Sequence, residues 1–123
     1  MKPQVKDVLR YLLAMGFIIA GLMHFTRTPF YVRIIPPPLA SHGQLLVYLS
    51  GFCEILGGIG ILFVWSRKTA GLGLLALLAA VFPANLYMAL RPDLFRDVAS
   101  PTALLIRLPM QFLFMVWVWF CCF

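Results

Sequence analysis

Five polar side chains stand inside otherwise apolar stretches of the sequence: His24, Glu54, Asn85, Arg107 and Gln111. An ionisable group in an apolar environment is unfavourable without a partner, so such residues often mark binding sites. Arg107 would bind an anionic or carbonyl group of a ligand, and Glu54 would hold Arg107 or exchange a proton. The two amides would orient the ligand, with Gln111 on the same helical face as Arg107. We predict one ligand site, in which no residue is assigned a catalytic role.

Long apolar segments carry these side chains. Hydrophobic residues make up 63% of the 123 residues and charged residues 11%, which is too little polar surface for a water-soluble globule. A helix needs about 20 residues to cross a hydrocarbon core roughly 30 Å thick. Four segments are long enough, at residues 8–25, 45–65, 70–90 and 103–123, and their continuous apolar character favours helices over barrel strands. We therefore expect an all-α, antiparallel four-helix transmembrane bundle, with residues 1–123 forming a single domain.

The connections between these segments contain proline and charged residues. The PPP sequence at 36–38 predicts a stiff extended turn before the second helix. In an up-down-up-down bundle the five polar residues fall in the same half of the membrane, which predicts a pocket opening toward the connections at 26–43 and 91–101. Three structural alternatives remain open: a Glu54–Arg107 pair that only locks two helices, Asn85 as an interhelical hydrogen-bonder, and His24 as an interfacial residue.

Basic residues give the chain a net charge of +6. They lie mainly at helix ends, which indicates membrane topology and lipid headgroups rather than nucleic acid. One side of the membrane would carry Lys2, Lys6, Arg10, Arg67 and Lys68, and the other Arg27, Arg33, Arg91 and Arg96. This bias predicts that both termini are cytoplasmic. The first helix is expected to be retained, because no small-residue cleavage site follows it. Aromatic residues near segment ends, Tyr31 among them, are typical of interface anchors.

Cysteine spacing argues against redox or metal chemistry. Cys53, Cys121 and Cys122 form no C-x-x-C pair, and no Cys/His grouping has the spacing of a zinc site. We predict that Cys53 is a small packing residue; palmitoylation of the terminal pair is a weaker alternative. The glycines around Glu54 predict close helix packing, which is compatible with either a tight interface or a gap for a ligand.

The order of several short stretches resembles a known family. GLMHF, IIPPPL, SGFCEILGGIGIL, AVFPANLYMA and RLPMQF together resemble the DoxX family of small bacterial four-helix membrane proteins. The resemblance implies a bundle in the bacterial cytoplasmic membrane and a loose link to quinone, sulfur or stress-response pathways. It also implies that the recurrent polar residues of the family correspond here to His24, Glu54, Asn85, Arg107 and Gln111. The chain has no redox cysteine pair, which argues against independent electron transfer.

Three functions compete. The favoured one is binding of a small amphipathic molecule, such as a quinone, lipid or sulfur species, by a subunit of a membrane redox or stress-response complex. Quinone is the one cofactor considered, and the expected partners are membrane lipid, another subunit or a second copy of the chain. A scaffold or assembly factor is the alternative, and it predicts a packed interior without a cavity. Transport is the third, and four helices leave little room for a solute path without oligomerisation.

Overall fold

The computed structural model describes residues 4–123. It contains five α-helices and two short 3₁₀ helices: α1 Val5–Thr26, α2 Thr28–Arg33, the 3₁₀ helix Pro37–His42, α3 Gly43–Gly60, α4 Arg67–Leu90, the 3₁₀ helix Pro92–Phe95, and α5 Pro101–Cys122. Four of the helical segments are long and apolar enough to cross a membrane. The predicted all-α four-helix architecture is confirmed. Lys2 of the predicted topology lies outside the described residues.

The second long helix ends earlier than its hydropathy predicts. It was expected to reach residue 65, but α3 ends at Gly60. Ser66 Oγ donates to the Gly60 carbonyl at 2.6 Å, and Arg67 Nε donates to the Ile61 carbonyl at 2.9 Å. These bonds satisfy carbonyls that would otherwise lack partners at the helix end. Hydropathy misses this boundary because the turn residues are as apolar as the helix.

The first connection is more helical than expected. Thr28–Arg33 forms α2, with a proline in its first turn, where the fixed φ of proline suits a helix and its missing N–H is not needed. The predicted extended turn is correct only for Pro36, which has φ −56° and ψ 144°. Pro37 instead begins a 3₁₀ helix that runs directly into α3.

The four long helices form a ring. α1 packs against α3 and α5, and α4 packs against the same two helices, so α1 and α4 lie diagonally opposite. Successive long helices run antiparallel. The α1–α3 contact is the most extensive of the four and the α1–α5 contact the least.

Glycines explain how closely α1 approaches α3. A Cβ at Gly21 would lie 2.6 Å from the Gly51 carbonyl oxygen, and one at Gly58 would lie 2.9 Å from the Ala14 carbonyl oxygen. Such distances are too short for real Cβ contacts, so only glycine allows the two backbones to meet here. The predicted close helix packing is therefore confirmed for Gly51 and Gly58.

α3 uses its other glycines on α4. A Cβ at Gly57 would lie 2.5 Å from Leu74 Cδ2, and one at Gly60 would lie 2.7 Å from Ala70 Cβ. These neighbours are side chains rather than backbone, so the α3–α4 contact has more freedom to adjust than the α1–α3 contact.

Polar side chains close the end of the bundle that holds the N- and C-terminal segments. Arg10 is only 7% exposed, and its Nε donates to the Cys121 carbonyl at 3.0 Å. Asp7 accepts from Arg10 at 2.7 Å, and Trp117 Nε1 donates to the Leu9 carbonyl at 3.1 Å. A cation at the carboxyl end of α5 also offsets the partial negative charge there.

The cysteines differ from their predicted roles. Cys53 is exposed on α3, so the prediction that it is a packing residue was wrong. Cys121 and Cys122 are buried, and Cys122 faces Gly71, whose added Cβ would lie 2.6 Å from Cys122 Cβ. Burial removes the access that palmitoylation of this pair requires, so the weaker alternative is disfavoured too.

A salt bridge joins the two connections at the opposite end of the bundle. Arg33 donates to both carboxylate oxygens of Asp97, at 2.9 and 2.8 Å, and to the Leu94 carbonyl at 2.8 Å. The guanidinium also lies over the Phe95 ring, 5.4 Å from its centroid. Phe95 packs in a buried apolar cluster with Ile34, Met88 and Leu104. The connection that follows α1 is thereby fixed to the one that follows α4.

This salt bridge should respond to acid. Hydrogen bonds from Arg33 hold the pKa of Asp97 below its ordinary value. A carboxyl group with a lowered folded-state pKa stabilises the fold above its unfolded value of about 3.9, and that contribution is lost as the pH falls through the folded pKa. After correction for the intrinsic exchange rate at each pH, we expect the protection of residues 28–39 against amide exchange to fall below about pH 4, as measured by hydrogen exchange with mass spectrometry. Asp97→Asn should remove this pH dependence.

A matched control is available in the same connection. Asp93 pairs with Arg91, only two residues away, at 3.4 Å, and so does not join the connections. Asp93→Asn should leave the acid response of residues 28–39 unchanged. An equal loss of the response in both variants would contradict the role given to Asp97.

Candidate ligand-binding cavity

A cavity of about 560 Å³ lies inside the bundle. Residues of all four long helices and of the first connection line it. Small-molecule sites usually measure about 300–1,000 Å³, so the cavity has room for a ligand of ordinary size.

One end of the cavity is polar. His24, Glu54, Asn85 and Arg107 line it, one from each long helix, and Tyr31 and Ser50 join them. The structure therefore brings together four of the five residues singled out from the sequence. Gln111 is not among the lining residues; it is 4% exposed and packs behind Asn85.

The remainder of the cavity is apolar and long. Its lining includes Leu13 and Phe17 of α1, Leu78 of α4, and Phe114 and Trp117 of α5. The rise along α1 from Leu13 to His24 is about 16 Å at 1.5 Å per residue. A polar end and a long apolar body match a molecule with a polar headgroup and an apolar tail.

The cavity reaches the outer surface between helices. Leu12 of α1 and Phe114 of α5 line it and are 53% and 40% exposed. Gly16, also in the lining, leaves open space around the position of a Cβ. Leu12 and Phe114 lie on α1 and α5, whose mutual contact is the least extensive in the ring. The pocket was expected to open toward the connections at 26–43 and 91–101. The first connection borders it through residues such as Leu39, which is 50% exposed, and no lining residue lies at 91–101.

Glu54 has a different neighbour from the one expected. Its Oε2 lies 3.2 Å from His24 Nδ1, whereas Arg107 forms no ion pair with any residue in 4–123 and is exposed. The close approach of α1 explains this choice, because a Cβ at Gly51 would lie 2.7 Å from His24 Cβ. Counting residues along each helix gave the depth of each side chain in the membrane. It did not include this contact between neighbouring backbones.

The Glu54 carboxyl group lacks hydrogen-bond donors. His24 Nδ1 lies 2.7 Å from the Ala20 carbonyl, which can only accept, so Nδ1 carries a hydrogen directed at that oxygen. Glu54 Oε2 is buried with no hydrogen-bond partner. Glu54 Oε1 is not fully buried, and no residue in 4–123 donates a hydrogen bond to it. A buried polar atom without a partner is rare and unfavourable.

Tyr31 is the site residue that sequence reasoning missed. It was expected only as an interface anchor, but its ring stacks on His24 with centroids 4.0 Å apart and an interplanar angle of 19°. Burial raises the pKa of the Tyr31 phenol, and Glu54 acts in the same direction. The phenol therefore remains a neutral hydroxyl group near pH 7. Tyr31 lies over the cavity because it belongs to α2. No pattern in the sequence predicted that helix.

The two amides bond to each other. Asn85 Nδ2 donates to Gln111 Oε1 at 2.8 Å, and Gln111 Nε2 donates to the Leu78 carbonyl at 2.7 Å. These bonds join α4 to α5. They lie near Pro83, which has no backbone N–H and so leaves α4 with one donor fewer. The geometry matches the alternative in which Asn85 is an interhelical hydrogen-bonder, while its side chain also borders the cavity.

Residues 13–122 match a family described as a domain of unknown function, DUF8561. The chain belongs to this family. No curated protein and no solved structure matches the chain. The DUF8561 region contains the whole polar end of the cavity and nearly all of the four long helices.

The DUF8561 fold should depend on the Asn85–Gln111 pair. Gln111→Leu would leave Asn85 without an acceptor and remove the bond to Leu78, so we expect a loss of about 1–3 kcal/mol in unfolding free energy. In a double-mutant cycle, Asn85→Leu and Gln111→Leu should show a coupling of about 0.6 kcal/mol or more. Unfolding in mixed micelles measures both quantities. Strictly additive losses would show that the two amides do not stabilise each other.

Metal ligation is not indicated in the described part of this DUF8561 chain. Among residues 4–123 no group of three or more His, Cys, Asp or Glu side chains lies close enough together to hold a metal ion.

Proposed function

We propose that this protein binds one small amphipathic molecule in the bundle cavity, with the polar end of the molecule near Glu54 and Arg107. The observation that carries the proposal is the cavity itself: about 560 Å³, lined by apolar residues along most of its length and by four ionisable or amide side chains at one end. A quinone, a lipid and a small sulfur species remain the candidate ligands. Entry from the bilayer between α1 and α5 suits a membrane-dissolved molecule.

The scaffold alternative is less well supported. A bundle whose polar residues serve only its own stability should have a packed interior and paired polar groups. The Asn85–Gln111 pair fits that description. The large cavity and the unpartnered Glu54 Oε2 do not.

The biological setting is also part of the proposal. We place the protein in the bacterial cytoplasmic membrane with both termini in the cytoplasm, supported by the basic residues Lys6, Arg10, Arg67 and Lys68 at one end. Kinship with the DoxX family is proposed from the order of shared stretches. The protein would then act as a non-autonomous subunit of a redox or stress-response complex rather than as an independent enzyme.

Ligand retention tests this function. The wild type, purified from native membranes in a mild detergent, should carry a defined amphipathic molecule at about one per chain, as measured by native mass spectrometry. Glu54→Leu should lower the affinity for this molecule about tenfold, the factor of one hydrogen bond of about 1.4 kcal/mol. The fold should be retained, because an apolar residue of similar volume replaces a group without donors.

Gln44 offers a control on the same helix. Its side chain is exposed and bonds to Tyr48, and it does not line the cavity. Gln44→Leu should keep the bound molecule. A wild type with no defined ligand, together with a Glu54→Leu variant that only loses thermal stability, would favour the scaffold instead.

A further inference from the structure

The charges around the cavity restrict the headgroup of its ligand. Glu54 and Arg107 both line the polar end. A cationic headgroup would lie in the same cavity as the positive charge of Arg107. An anionic headgroup would lie in the same cavity as the Glu54 carboxyl group. Charge burial in a membrane is unfavourable unless it is paired. A neutral polar group avoids both conflicts.

The hydrogen-bonding inventory then decides which neutral group fits. Glu54 Oε2 is buried with no hydrogen-bond partner among residues 4–123, and the His24 Nδ1 hydrogen is directed at the Ala20 carbonyl. Asn85 donates one amide hydrogen to Gln111. Glu54 is therefore the acceptor at this end of the cavity that lacks a donor. A carbonyl or ether oxygen cannot supply one, whereas a hydroxyl group donates and also accepts from groups such as Arg107 or Tyr31.

We propose that the ligand presents a neutral hydroxyl group, of an alcohol or a phenol, which donates a hydrogen bond to the Glu54 carboxyl group. This inference rests on the proposed function, since it assumes that the cavity holds an amphipathic ligand. The site would thereby select the hydroxyl form of a molecule over its carbonyl or ether form. The hydroxyl group has two natural sources in a membrane, a hydroquinone and a lipid alcohol such as a monoacylglycerol.

Two probes that differ in one hydrogen-bond donor test the proposal. Dodecylphenol and its methyl ether have the same apolar chain and ring, but only the phenol can donate. Binding to the purified full chain is measured by titration calorimetry in one detergent, and Glu54→Leu is measured alongside to correct for the stronger partition of the ether into micelles. We expect the phenol to bind the wild type about tenfold or more tightly than the ether, the factor of a single hydrogen bond. In Glu54→Leu the preference should fall below about threefold.

Gln44 provides the control, because it lies on the same helix as Glu54 but is exposed and does not line the cavity. Gln44→Leu should keep the preference for the phenol. A preference that survives in Glu54→Leu would show that another group binds the hydroxyl, and the assignment to Glu54 would be overturned. Equal binding of phenol and ether to the wild type would overturn the inference while leaving the proposed function intact.

Further probes identify the source of the hydroxyl group. They also distinguish failure of this inference from failure of the proposed function. Decylhydroquinone and a monoacylglycerol both carry hydroxyl groups, and tight Glu54-dependent binding of either supports the inference and identifies the source. Tight binding of decylquinone in preference to decylhydroquinone would overturn it. If none of these probes, including the ethers and quinones, binds the folded wild type, the proposed function fails and the inference fails with it.

Discussion

Gly21→Ala is expected to weaken the bundle more than any other single-methyl addition in the long helices. Its Cβ would lie 2.6 Å from the Gly51 carbonyl oxygen, 2.6 Å from Ile55 Cγ1 and 3.1 Å from the Ile55 backbone nitrogen. Two of these atoms belong to the α3 backbone, so the helices must separate. Overpacking of this kind costs about 1–3 kcal/mol. Reversible unfolding in mixed micelles should detect the loss.

The control is a glycine with open space around it. A Cβ at Gly73 on α4 would meet nothing within 4 Å. Gly73→Ala should be neutral or stabilising by up to about 1 kcal/mol, because alanine is the better helix former. If both variants lost the same stability, the α1–α3 contact would not be as close as these distances require.

Gly21→Ala should also disturb the site. The same helix contact holds His24 against Gly51 and within 3.2 Å of Glu54. Separation of α1 from α3 moves His24 away from the carboxyl group, so ligand retention should fall together with stability. Gly73→Ala should change neither.

Gly16→Phe is expected to abolish ligand retention without unfolding the protein. Gly16 lines the cavity, and a Cβ there would meet nothing within 4 Å. A phenyl group would occupy part of the cavity. The affinity for the native ligand should fall about tenfold or more, which corresponds to about 1.4 kcal/mol or more of binding free energy. Native mass spectrometry provides the measurement.

Gly73→Phe is the matched control for this variant. It makes the same replacement in a long helix at an equally open position, but Gly73 does not line the cavity. It should keep the ligand and a similar melting temperature. A ligand that remains bound in Gly16→Phe would contradict its placement in this cavity, and the apolar length of the site would need another explanation.

The sequence correctly predicted the features that depend on single segments of the chain. Long apolar segments must be helices in a bilayer, because every backbone polar group needs an internal partner. Counting 1.5 Å per residue along antiparallel helices placed His24, Glu54, Asn85 and Arg107 in the same half of the membrane, and these four residues line one cavity. The family match adds no activity to this placement.

Prediction from the sequence was less successful where the outcome depended on neighbouring helices. Arg107 lies at a suitable depth for Glu54, but His24 is the nearest charged or titratable partner because glycine contacts bring α1 against α3. Gln111 has the right depth too, yet its amide is directed at Asn85 and the Leu78 carbonyl. Rotation of each helix about its own axis decides such contacts, and hydropathy carries little information about it.

By itself, the sequence determined the class of the protein, the four long helices, and the half of the bundle that contains the polar groups. Those properties follow from apolar length, proline and charge, which act within single segments. Only the tertiary structure decided that a cavity exists, that Tyr31 covers His24 and that Glu54 has no hydrogen-bond donor. These features depend on the distances between segments, which are set by the packing of glycine backbones, the position of α2 and the competition among several acceptors for few donors.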